Sequence, residues 1–486
     1  MDRRMFLKSS AMLAGEAVIG RVPAGDAPMI GIQMGAVSLV DEGTDKVLDR
    51  LQEMAAINTL FLATFTYGRG IGGRQPRGNP LPDHGKQEYD DDFRGGNFAT
   101  PHPQYYRNTT VACEKAPDHP GYDIIADVLP AARSRSMKVV CWFEDVFRRD
   151  VPGLDRAVEI DVHGRPTGLA CPRNPNTRNF WLGLVEDYLR SYDVDGLMWG
   201  SERQGPLGNA LGAKHGRANE GSRIGCFCPH CLGAGRKEGI NPDRAREGYL
   251  ALERWTSAMR SGQRPTDGAF VIFWRLLLQY PELLAWERLW NDGLKDTYRA
   301  MHRLAHRIAP AKSIGWHIWH NNSFSPFYRA EQDYAEFSQY SDFLKVVMYN
   351  NCGGPRLAQY VQNVHATLFA DLTPEQILEL TYGIQQYREQ PLDRISQEGL
   401  SANFVLRETR RAVAGVGPHV KIWPGIDIDI PTGANEKKTQ PDDVYQAVKA
   451  AFQGGAHGVL LSRKYSEMKL ANLRAAGRAI RELKLL

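Results

Sequence analysis

The chain is poor in cysteine, with seven in 486 residues, an odd count. A small disulfide-stapled secreted scaffold carries more cysteine in far fewer residues, so that class is excluded. A surplus of one charge is also missing. Sixty Lys and Arg against 56 Asp and Glu leave a net +4. With no long basic run, the chain lacks the electrostatic footprint of a nucleic-acid binder, and no nucleic-acid partner is expected. No segment of the mature chain offers the ~18 consecutive apolar residues of a membrane span, so no integral membrane segment is expected. What is present is ordinary globular composition, 42% hydrophobic and 24% charged. A chain this long can bury a large core without metal or disulfide support. Ten Trp and nineteen Tyr serve either as extra packing or as the walls of a binding cleft.

Two arginines, Arg3 and Arg4, precede Phe6 and Leu7, and a modest apolar stretch, Ala11 to Ile19, follows. This N-terminus resembles the bacterial twin-arginine signal, which exports folded proteins. The resemblance implies a periplasmic or extracellular protein, with residues 1–27 set apart from residues 28–486 and cleavage near Ala24 or Ala27.

Eight short apolar runs alternate with helix-like stretches. They are Met29–Met34, Thr59–Tyr67, Lys138–Phe143, Asp195–Trp199, Ser313–Trp319, Phe343–Tyr349, Val420–Ile426 and Gly458–Ser462. Continuous apolar runs of this length fit parallel strands buried on both faces. Eight such units predict an α/β fold, a (β/α)8 TIM barrel, with an open doubly wound sheet as the alternative. Two long insertions, 69–121 and 203–312, follow the second and fourth strands. Both leave the carboxyl ends, where a barrel builds its active site.

The residues just past the strands define the candidate site. Strand three ends in Glu144-Asp145, strand four in Trp199-Gly-Ser-Glu202-Arg203, and strand five in His317-Ile-Trp319-His320-Asn321. Strand six ends in Tyr349-Asn350-Asn351, strand seven in Asp427-Ile-Asp429, and strand eight in Arg463-Lys464-Tyr465-Ser466-Glu467. Carboxylates for proton work, amides and His for hydroxyls, and aromatics for apolar ring faces suit a sugar. Glycoside hydrolysis needs two carboxyls astride the bond. Glu202, beside Trp199, is the leading general acid/base. Asp427 is favoured as nucleophile or base, with Asp429, Glu144 and Glu467 in reserve. Trp199, Arg203, Trp319, His320, Asn321, Tyr349, Asn350, Glu144, Arg463 and Tyr465 are candidate substrate contacts. His317 and His320 point to opposite faces if both are on the strand, which disfavours a metal shared between them.

Cys226-Phe-Cys228-Pro-His-Cys231 places three thiols on one tight loop. Zinc takes four tetrahedral ligands and suits thiolates, and the fourth could be Cys171 or His230; a disulfide among the thiols is the alternative. The order Cys171-Pro172, a helix near Phe180–Tyr192, a strand leading to Glu202, then Cys226, Cys228 and Cys231 resembles the zinc-bearing segment of glycoside hydrolase family 42 β-galactosidases. The resemblance covers residues 171–255. It implies a structural zinc on Cys171, Cys226, Cys228 and Cys231, no organic cofactor, and Glu202 as acid/base. Two departures stand out: Ser201 precedes Glu202 where that family has Asn, and strand seven offers Asp where it has Glu. Neither galactose specificity nor a retaining mechanism carries over.

The expectation is therefore an exported glycoside hydrolase acting on an oligo- or polysaccharide. One rival is a metal-dependent isomerase or lyase using His317, His320, Glu144 and Asp429, which calls for a second, open metal site. The other is a non-catalytic carbohydrate-binding barrel. The sequence sets neither the sugar nor the oligomeric state.

Overall fold

The computed structural model describes residues 27–216 and 224–485. The twin-arginine stretch lies outside the described residues. Among those described, no helix is long and apolar enough to cross a membrane.

Eight parallel strands close on themselves. They are β1 (Met29–Met34), β2 (Thr59–Thr66), β3 (Lys138–Glu144), β4 (Gly196–Gly200), β5 (Ser313–Ile318), β6 (Phe343–Val347), β7 (Lys421–Asp427) and β8 (Gly458–Ser462). Each pairs with the next, and β8 closes the ring on β1 with Met29 opposite Gly458 and Ile32 opposite Leu461. An open doubly wound sheet would leave two edges. The fold is a (β/α)8 barrel.

Strand alternation sorts the side chains into two cores. On β3, Val140 and Trp142 point inward and join Phe61, Ala63, Met198, Phe343 and Leu460 inside the barrel. Val139, Cys141 and Phe143 point outward to the helices. The inner core is tight: Phe343 stacks on Trp423 at 4.0 Å between ring centroids. A Cβ on Gly315 would stand 2.3 Å from the Phe343 carbonyl oxygen, so only glycine fits there. Truncating Phe343 to alanine would cost about 3–5 kcal/mol.

The helices start where sequence chemistry starts them. Asn174 caps the helix Pro175–Ser191, whose first residue is a proline that has no N–H to lose. Asp123 caps Ile124–Ser134 through the Ile125 and Ala126 amides. The closing helix Leu470–Glu482 packs on Pro441–Gln453 and on Thr44–Ala55, so the two ends of the barrel meet.

The insertion after β4 is mostly helical, with Pro242–Arg260, Ala269–Gln279 and the 27-residue Glu282–Ile308. The one after β2 holds only short elements. Its Gly68-Arg-Gly-Ile-Gly-Gly73 has dinucleotide-fingerprint spacing but opens only the four-residue turn Arg69–Gly72, not the helix that fingerprint requires. After β3, two short strands, Val158–Ile160 and Pro166–Ala170, form a hairpin that the sequence did not signal. Three to five residues are too few for a periodicity. Its turn is instead held by Asp161, whose Oδ1 accepts from the His163 and Arg165 amides.

Candidate active site

Parallel strands bring all eight carboxyl ends to one face. There β3 and β4 run side by side, with Glu144 opposite Gly200. Glu202 follows two residues later. Its side chain is 54% exposed, open to solvent on one side and crowded by charged and aromatic groups on the others. His317, the inward residue near the end of β5, sets its Nε2 2.9 Å from Glu202 Oε1. Lys345 rises from the middle of β6, fully buried, and donates from Nζ to His317 Nδ1 at 3.2 Å and to the Tyr349 hydroxyl at 2.6 Å. With Lys345 occupying Nδ1, the imidazole proton sits on Nε2 and is donated to Glu202. The result is a chain of donors, Lys345 to His317 to Glu202.

The electrostatics separate two carboxyls. Burial works against the charge on Glu202, but the hydrogen bond and charge of His317, with His215 and Arg356, prevail and hold it down to about 2. Burial, then the neighbouring Glu202 charge, pushes Glu144 up to about 8, against the opposing pull of Arg463, Thr66 and Lys345. Burial lowers His317 to about 4, aided by Lys345, and lowers Lys345 to about 7 against the attraction of Glu202 and Glu144. At neutral pH, Glu202 is an anion beside a protonated Glu144 and a neutral imidazole.

Other candidates lie around this centre. Trp319 packs against Tyr328 at 5.3 Å and His215 at 5.1 Å between ring centroids. His320 lies against Tyr349, with its Nδ1 3.0 Å from Arg356 Nη1. Asn350, next to Tyr349, donates to the Leu400 carbonyl at 3.4 Å. Arg463 pairs with Glu467 at the end of β8 and lowers the Glu144 pKa.

Several candidates are employed elsewhere. Strand alternation turns Trp199 outward, where it packs on Trp181 and Tyr298 in the helix layer. Arg203 pairs with Asp145 at 3.3 Å and Glu159 at 2.6 Å and lies over Trp290. Asn321 donates to Gln204 and to the Ala213 carbonyl, holding the loop after β4. Tyr465 is buried, accepts from Arg50 at 2.8 Å, and packs against His84 of the 69–121 insertion. Asp427 accepts from the Cys352 and Ile430 amides at 3.0 Å and from Thr439 Oγ1 at 3.3 Å. Its carboxyl is fully buried and its pKa raised by that burial, against the pull of those amides. Asp429 accepts from the Lys469 amide, and burial, opposed by Lys469, lifts it to about 7.

Cys171, Cys226, Cys228 and Cys231 are all buried and unbridged, with their sulfurs within 4.8 Å of one another. Cys171 Sγ is 3.6 Å from both Cys228 Sγ and Cys231 Sγ. A tetrahedral ion with ~2.3 Å bonds to sulfur spans edges of ~3.8 Å, so this cage fits a metal ion such as zinc. Its loop is anchored beside Glu202, because Arg203 Nη1 donates to the carbonyl of Ala170, next to Cys171, at 2.6 Å. By contrast, His317, His320, Glu144 and Asp429 do not converge as a ligand set among the described residues.

No protein-family description and no curated protein sequence matches this chain. Solved structures do. The β-galactosidase of the haloarchaeon Halorubrum lacusprofundi superposes with a TM-score of 0.50 at 13% identity, over 94% of this chain and 58% of that one. The β-galactosidase of Marinomonas ef1 gives 0.48 at 11%, over 94% and 59%. A chitinase from Chromobacterium violaceum gives 0.40 at 9%, over 93% and 99%. The chain spans under two thirds of the length of the two galactosidases. At such identity the first likeness establishes the shared barrel fold and nothing about the reaction.

Sequence reading passed over Lys345, Arg356 and His215 and gave His317 no role at Glu202. One signal was available for Lys345: a lysine in the centre of an apolar strand, FLKVV, has no solvent face to occupy. Arg356 and His215 lie on a helix and in an insertion, and no local pattern marks them.

Proposed function

We propose that this protein is a glycoside hydrolase whose working carboxyl pair is Glu144 and Glu202. The observation that carries the reading is the pair itself: two neighbouring carboxyls from adjacent strand ends on one face, whose surroundings push Glu144 up and hold Glu202 down. Environments that drive two carboxyls apart in this way assign acid and base roles. The Glu144 O–H donates its proton to the glycosidic oxygen as the bond to the anomeric carbon breaks. Glu202 either attacks that carbon or takes a proton from the water that does. His317 occupies Glu202 Oε1, and no other described residue bonds Oε2, which serves this step. This exchanges the role implied for Glu202 by its resemblance to family 42 and moves the partner from Asp427 to Glu144.

Trp319, Tyr349, His320 and Arg356 supply ring faces and donors for a sugar. A zinc ion in the four-cysteine cage would be structural, since four protein ligands leave no open position. It would fix the hairpin and loop to which Arg203 is tied. Chelation is expected to lower the melting temperature and release one zinc per chain. Residues 1–27 are proposed to export the folded, metal-loaded chain, which N-terminal sequencing of periplasmic protein would test.

The deciding experiment uses a panel of aryl glycosides with poor and good leaving groups. E144Q is expected to lose about 10²–10⁴-fold in kcat on phenyl glycosides. It should recover on dinitrophenyl glycosides, which need no proton donor, while E202Q should stay inactive on both. The reverse pattern would return Glu202 to the role of acid. Sugar binding with no turnover by the unmodified protein would make this a carbohydrate-binding barrel.

A further inference from the structure

The opposite face of the barrel carries a second cluster. His302 and His306 lie one turn apart near the end of the helix Glu282–Ile308, so both rings share one side of it. Asp342 immediately precedes β6, at the amino-terminal end of the strands. His306 Nε2 is 3.0 Å from Asp342 Oδ2 and 3.2 Å from Oδ1, and His302 Nε2 is 3.7 Å from Oδ1. The rings are 4.4 Å apart at 63°. The other carboxylate oxygen, Oδ2, accepts from the Ile314 amide at 2.7 Å, which fixes the orientation of the group.

A single ion pair needs one imidazole. Here two present the same nitrogen to one carboxylate, His306 across both oxygens and His302 toward Oδ1. A tetrahedral ion with bonds of ~2.0–2.1 Å to nitrogen and oxygen has edges of ~3.3 Å, and the two gaps to Oδ1 bracket that value. All three side chains are partly exposed, at 19%, 31% and 31%, so an ion could enter and a fourth position would face solvent.

We propose that His302, His306 and Asp342 form a second metal site, for a divalent ion of borderline softness such as zinc, cobalt or nickel. Two imidazole Nε2 atoms and Asp342 Oδ1 hold the ion, and water takes the open corner. Imidazole and carboxylate together suit these ions. The Ile314 amide orients the carboxylate from behind, as outer partners of metal ligands commonly do. Placed at the amino-terminal face, the ion would clip the long helix to the entry of β6. Residues at that face serve stability rather than catalysis.

Co2+ titration of the untagged full chain, brought to one zinc per chain so that only the four-cysteine cage is loaded, tests this, because the two sites differ in colour. Cobalt on thiolates shows intense near-ultraviolet charge transfer, whereas cobalt on two imidazoles and a carboxylate shows only visible ligand-field bands. One equivalent of Co2+ is expected to bind with visible bands and no charge transfer, and to raise the melting temperature. H302Q is the mildest variant, since His302 stands 3.7 Å from Asp342 and leaves the His306 pair intact. It is expected to weaken Co2+ binding about 100-fold, with an unchanged metal-free melting temperature. No saturable cobalt beyond the zinc cage, or equal binding by H302Q, would overturn the proposal.

Discussion

Glu202, just past β4, keeps over half of its side chain exposed and takes one hydrogen bond from the described residues, from His317. Asp427, the last residue of β7, is fully buried and takes three, two from backbone amides and one from Thr439. Both are carboxyls at a strand's carboxyl end, where a barrel places its chemistry. The difference lies in what surrounds them. Asp427 has spent its lone pairs on loops: Cys352 belongs to the helix after β6, and Ile430 and Thr439 to the segment after β7. Glu202 has one oxygen without a partner among the described residues, an open side and a neighbour, Glu144, whose pKa is pushed up to about 8. Position at the strand end makes a carboxyl eligible, and the donors around it decide whether it is available.

Substitutions can break this contrast. E202Q is expected to lower kcat by about 10²–10⁴-fold, with a smaller loss of stability than D427A because Glu202 is over half exposed. D427A should do the converse. It strands two buried amides, and denaturant unfolding is expected to show a loss of about 3 kcal/mol. A stable D427A with abolished turnover would put Asp427 back in the chemistry.

Lys345 sharpens the same comparison. K345M removes the donor to His317 Nδ1, and kcat is expected to fall about tenfold for the loss of one such hydrogen bond. A purely structural lysine would leave kcat unchanged in the folded variant.

The pH dependence of the parent follows from the two carboxyls. Glu144 must carry its proton, so kcat/KM should fall as pH rises through about 8. Glu202 must be ionised, which holds well above about 2. The smallest effect is spectroscopic. E202Q removes the anion that helps raise Glu144, so the Glu144 carboxyl should titrate at lower pH by difference infrared spectroscopy.

Much of the barrel was legible. All eight apolar runs became strands, most within a residue or two at each end, because a strand buried on both faces leaves no room for polar residues. The tails Tyr67, Trp319 and Tyr349 leave the ladder and enter the catalytic-face loops. The cysteine spacing was legible as well, since three thiols within six residues can hardly avoid one another. The site was legible only in outline. Trp199 and Met198 are equally apolar neighbours, and only the strand's rotation in the barrel wall sends one outward and the other inward.

The sequence by itself determined the eight strands, the helices between them, the long insertions at the carboxyl ends and the thiol cluster. These depend on local composition, periodicity and spacing along the chain. Only the tertiary structure decided which carboxyl is free, which is caged and which keeps its proton. Those properties depend on groups far apart in sequence, His317 for Glu202 and burial with Glu202 for Glu144, and Coulomb and hydrogen-bond energies depend on separation in space.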